Sequence, residues 1–304
     1  MALSLLIAKQ LLIMFSFSGI GFLMAKKQRI RHAGCADMVN LLLYVVIPFT
    51  VLNSFIVPSN SKKTEMLWES LFFSLIAFLV SMGIAYLIYG KNKRVENFSS
   101  AFSNAGFIGI PLVQATLGSE AVFYIAGYVA FLNIFQWIYG AYIMSGDKKM
   151  MSLRAIAGNA VLLSFLIGIT LYLTGWTELT YVKSIAGAIA QMNSPLAMII
   201  IGVYMSQVSM KEMLKHKSTY MCCIVRLLVI PLLSLVVVAL LPLHSRDVAM
   251  AVMIVLSAPV GANVAMFAQK FQQDQTYAVE IVILSTIISI VTLPCLMYIT
   301  QIIL

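Results

Sequence analysis

Ten apolar runs, each of about twenty residues or more, follow one another along this chain with little between them, and no other feature limits its fold as tightly. Crossing about 30 Å of hydrocarbon takes roughly 20 apolar residues. The runs at 3–25, 37–57, 66–90, 97–117, 120–144, 155–175, 183–206, 217–241, 247–269 and 275–302 all meet that length. The chain is 61% hydrophobic and 10% charged over 304 residues, a composition that no soluble domain of this size sustains from end to end. The expected fold class is an all-α polytopic membrane protein of ten transmembrane helices. The first run lacks a basic segment before it and continues to about Met24, too long for a signal core, so it reads as an uncleaved first span.

The net charge of +9 is distributed as topology. Fourteen of the basic residues fall in or beside loops after odd-numbered spans, among them Lys26, Arg31, Lys91, Lys148 and Lys270, and four after even-numbered ones: Lys62, Lys63, Lys183 and Arg246. The positive-inside rule then puts both termini outside a plasma (inner) membrane. Short basic tufts without interleaved aromatics give no nucleic-acid surface. Cys35, Cys222, Cys223 and Cys295 have no metal-ligand spacing, and His32, His216 and His244 lie in separate loops, so neither a disulfide nor a metal site is expected. No cofactor motif occurs.

Five spans per half is an odd number, so related halves must be inserted in opposite senses: 1–145 as a first repeat, 152–304 as an inverted second one. The irregular residues fall in register with that relation. Pro48 and Pro195 stand in the second span of each half. The fourth spans carry Ser103-Asn104-Ala105-Gly106-Phe107-Ile108-Gly109-Ile110-Pro111 and Ser257-Ala258-Pro259-Val260-Gly261-Ala262-Asn263. Proline removes a donor and collides with the preceding turn, and glycine loosens the chain, so both spans are expected to break. Backbone freed at membrane depth must be met by protein or line a wet cavity. Matched interruptions of this kind point to a transporter with a midplane site.

A helix that restarts inside the membrane presents unpaired N–H groups and a positive dipole end, which favour an anion. Asn104 and Asn263 add amides that can donate to a carboxylate or fill lost backbone partners. Arg226 and Glu280 are the ionisable groups deepest from the cytosolic side, and the expectation is that they approach each other as a buried pair, structural or proton-linked. Lys9 is close enough to the interface to snorkel. Asn40, Tyr44, Asn53, Asn193 and Ser194 read as interhelical hydrogen-bonding groups. An intramembrane hydrolase would need paired acids or a Ser/His arrangement, and the spans offer neither. A channel would more naturally show rings of pore residues.

Asn104-x4-Gly109-Ile110-Pro111, with Pro259-x-Gly261-x5-Phe267-Ala268-x2-Phe271 in the ninth span, resembles the paired signatures of the auxin efflux carrier family, which includes plant auxin exporters and bacterial malate and malonate permeases. Arg226-Leu227-Leu228-Val229-Ile230-Pro231 and Pro294 are similar to further features of that family. The resemblance implies two inverted five-helix repeats whose broken fourth and ninth spans cross near Pro111 and Pro259, a fold like that of the bile-acid symporters. It also implies a scaffold of spans 1, 2, 6 and 7, commonly a homodimer (through spans 2 and 7), and an elevator-like transport domain of spans 3–5 and 8–10. The candidate substrate-binding set is Asn104, Gly106, Gly109, Pro111, Ser257, Pro259, Gly261, Asn263 and Gln136. The function implied is secondary transport of an organic anion such as malate, malonate or an auxin-like acid. No acid lies within either break, which favours proton coupling or uniport over sodium; a sodium-coupled symporter of the same fold is the alternative, and an anion channel is a lesser one. The long cytosolic loop of the plant carriers is missing.

Overall fold

The computed structural model describes residues 2–176, 179–242 and 245–304; His244 lies outside them. The described residues are helical almost throughout, with one isolated β-bridge and no strand. The main helices are α1 (Ala2–Lys26), α2 (Ala33–Phe55), α3 (Ser61–Tyr89), α4 (Arg94–Ala101), α5 (Ala105–Leu117), α6 (Ser119–Ser145), α7 (Leu153–Ala157), α8 (Ala160–Thr174), α9 (Thr180–Gln207), α10 (Lys217–Ala239), α11 (Arg246–Leu256), α12 (Asn263–Lys270) and α13 (Gln275–Ile303). Among the described residues, seven helices are long and apolar enough to cross a membrane: α1, α2, α3, α6, α9, α10 and α13. The other three apolar runs are interrupted. One becomes α4 and α5, one becomes α11 and α12, and one is bent by 50° between Lys148–Ala157 and α8.

Proline governs the helix interiors in a repeated way. π-helical turns occupy Leu42–Val46, Ala105–Gly109 and Val225–Val229, and each ends two residues before a proline: Pro48, Pro111 and Pro231. A proline lacks the N–H for the bond to the residue four back, and its ring strikes that carbonyl. Widening the turn by one residue gives the ring room without ending the helix. Pro195 is handled differently, just after a loosened turn at Gln191–Met192 within α9. A fourth π turn, Gln136–Gly140, has no proline after it.

α1 lies along α9, and α2 packs on α8 and α9. A β-carbon added at Gly21 would run into the Ile199 backbone, and one at Gly202 into the Ser18 backbone, so α1 and α9 approach at van der Waals limit because each is glycine where the other's backbone passes. This is the small-residue packing that membrane helices use in the absence of a solvent-driven force between them. α3 packs on α4 and α6, α11 on α6 and α3, and α10 and α12 on α13. Polar side chains buried along the spans mostly return their hydroxyls to their own helix: Thr50, Ser70, Ser81, Thr286 and Thr300 each donate to a carbonyl three or four residues back.

Candidate functional site: the crossing of two broken helices

After Ala101 the chain leaves the helix, with Phe102 extended (φ −116°, ψ 117°), and re-enters it at Ala105. After Leu256 it unwinds through 257–262 and re-enters at Asn263. The two unwound stretches meet. Ser103 and Val260 form an antiparallel bridge, in which Asn104 N–H donates to the Pro259 carbonyl at 2.8 Å and Gly261 N–H donates to the Phe102 carbonyl at 3.0 Å. Each break thus supplies the partners that the other lost, which is what backbone in hydrocarbon requires. Val260 N–H is met by Ser285 Oγ of α13 at 3.2 Å. Gly261 is needed for the approach, because a β-carbon there would sit 3.0 Å from the Ser103 carbonyl oxygen.

The side chains at the crossing are amides. Asn104 caps the restarted helix, its Oδ1 accepting Phe107 N–H at 3.3 Å, while its buried Nδ2 has no partner. Asn263 Nδ2 donates to Gln136 Oε1 at 3.1 Å, and the Nε2 of Gln136, which is 2% exposed, is also without a partner. Two buried N–H donor groups left unmade are costly in a low-dielectric interior, on the order of 1–3 kcal/mol each. Asn104 borders a cavity of about 30 Å³ whose walls also include Gly106, Gly261, Asn263, Asn133 and Ile47. That space holds a water or two and is too small for an organic acid.

Of the residues picked out from the sequence, Asn104, Gly106, Gly261 and Asn263 border this cavity, and Gln136 is joined to it through Asn263. Pro259 acts by its carbonyl. Gly109 faces Val255 of α11, where an added β-carbon would be 2.9 Å from Cγ1, and Pro111 is buried two residues further along α5. Ser257 is buried with its hydroxyl unpartnered. Sequence reasoning missed Asn133 as a wall residue, although it lies three residues before Gln136 on the same helix face. Asn193 of α9, read as an interhelical donor, gives its Nδ2 to the Gly106 carbonyl at 3.3 Å, tying α9 to the first break.

The expected pairing of Arg226 with Glu280 is not formed. Glu280 takes His216 Nδ1 at 2.6 Å, with His216 half exposed. Arg226 is wholly buried and donates to three backbone carbonyls: Nε to Ala258 at 3.2 Å, one Nη to Ser100 at 2.9 Å and the other to Leu256. Helices that stop inside a protein leave their last carbonyls unpaired and carry partial negative charge there. Those carbonyls are the acceptors that the guanidinium takes. Tyr128 stands next to Arg226 and shares its hydroxyl with Ser103 Oγ at 3.0 Å.

Comparison with curated individual proteins returns no match. A family profile described as "membrane transport protein" matches residues 6–297, nearly the whole chain. On that match the chain belongs to the membrane transport protein family, which is the auxin efflux carrier family.

Proposed function

We propose that the protein is a secondary transporter of organic anions, with carboxylates such as malate, malonate or an auxin-like acid as the substrate class. The single observation that carries this reading is the pair of unpartnered amide donors, on Asn104 and Gln136, beside a crossing where two helices restart. A carboxylate taken into the crossing would be a partner for the Asn104 donor and lie near the positive ends of α5 and α12. Asn104, Asn263 and Gln136 are the contacts, with Gly106 and Gly261 keeping backbone out of the way. Pro111, Pro259, Gly109 and Ser257 shape the breaks.

The reading includes ten spans in two inverted five-helix repeats, 1–145 and 152–304. It is supported by the near symmetry of the bridge, in which each break donates one N–H to the other. A scaffold of spans 1, 2, 6 and 7 and a moving body of spans 3–5 and 8–10 accord with the packing of α1 on α9 and of α2 on α8 and α9. The small cavity at the crossing, with Asn193 bonded to Gly106, fits a stage of an elevator cycle in which no organic acid is held there. A homodimer through spans 2 and 7, a plasma-membrane location and outside termini complete the proposal.

Thermal stabilisation by a panel of mono- and dicarboxylates tests the substrate class, because a ligand that binds only the native state raises apparent stability with occupancy. One or more organic acids should raise the melting temperature, and the same acids should show saturable uptake and counterflow in proteoliposomes. Stabilisation by a cation or neutral metabolite alone would reject the anion reading.

A further inference from the structure

The negative ends of both broken helices converge on one side chain. α4 finishes at Ala101 and α11 at Leu256, and the carbonyls of Ser100, Leu256 and Ala258 all turn to the guanidinium of Arg226. A wholly buried cation is among the most costly groups in a protein unless its charge is matched. Here no ion pair among the described residues includes Arg226. Its charge is matched by helix dipoles and carbonyl oxygens contributed by both interruptions. Unwound carbonyls and half-helix C-terminal ends are also the ligand set with which broken-helix carriers coordinate alkali-metal ions.

We propose that Arg226 is a built-in cation for the crossing: its guanidinium stands where such carbonyls would otherwise call for a bound metal ion, holds the two breaks together, and leaves the protein with no alkali-metal requirement. This rests on reading the crossing as that of a carrier. Arg226 is thereby a positioning residue, since it touches the backbone of both breaks and not the cavity. Its planar fork suits the task better than a point charge, because three separate acceptors are reached at once.

The test uses the purified full-length protein and its melting temperature in chloride salts of sodium, lithium and choline, and in choline with a few millimolar guanidinium added. No substrate is involved, so the result is independent of whether any organic acid binds. Wild type should melt at the same temperature in all of them, and sodium- or lithium-specific stabilisation of wild type would overturn the proposal. Arg226→Ala should melt several degrees lower in choline and recover part of the loss with sodium or guanidinium. Arg226→Lys, which keeps the charge, should be insensitive to the salt. An alanine variant that melts like wild type, or one whose loss no cation repairs, would also overturn it. If the alanine variant cannot be purified, the wild-type and lysine comparisons still decide.

Discussion

Asn104 carries three duties in one side chain and its own peptide. Its N–H holds Pro259, its Oδ1 caps the restarted helix, and its Nδ2 is left over. Removing the side chain deletes the cap and the spare donor but not the backbone bond. Asn104→Ala should therefore leave folded protein in the membrane while weakening organic-acid uptake by roughly tenfold or more, the value of a hydrogen bond to a charged group at about 1.5–3 kcal/mol. Uptake at the wild-type rate in proteoliposomes would remove Asn104 from the site. This residue was legible in the sequence because an amide just before two glycines and a proline in an apolar run has few other uses. The partners of Arg226 were not legible, because its acceptors are backbone carbonyls, which every residue type supplies and no letter marks. Asn133 escaped for another reason: α6 is apolar on all sides, so it has no amphipathic stripe from which to read its rotation.

At the scale of the element, position of the breaks followed from composition, while the manner of bending did not. Pro48, Pro111 and Pro231 all predict an interruption, yet α2 and α10 continue through theirs by a π turn and only the glycine-flanked Pro111 accompanies a true break. Proline alone bends; unwinding takes glycine and a backbone partner from elsewhere. The glycine seam of α1 and α9 gives a sharper expectation. Gly202→Val should destabilise the protein by about 1–3 kcal/mol through overpacking against the Ser18 backbone. Gly83→Ala on α3, where a β-carbon meets nothing within 4 Å, should be neutral or slightly stabilising from helix propensity. Melting curves of the two variants in detergent check both, and equal melting temperatures would mean that the seam does not hold the fold.

For the whole molecule, the run lengths and the basic tufts carried most of what the sequence could say, since both follow from the thickness and charge asymmetry of a membrane. Orientation is directly measurable. In inside-out and right-side-out vesicles, Lys62→Cys should be labelled by an impermeant maleimide from the outer face and Lys148→Cys from the cytosolic face, in a background without the four native cysteines. The opposite pattern would invert the proposed topology.

The bridge between the breaks also sets an order of events during synthesis. Ser100, Phe102 and Asn104 are made early, yet their partners are Arg226, Gly261 and Pro259, the first of which follows 126 residues later. At roughly 5–20 residues per second, the first break spends roughly 6–25 seconds in or near the membrane before any of its three partners has been polymerised. During that interval it is a helix with an open wound, and the insertion machinery or neighbouring lipid headgroups must shelter it. The crossing therefore makes this protein a late finisher: its first break is completed only when the second half arrives.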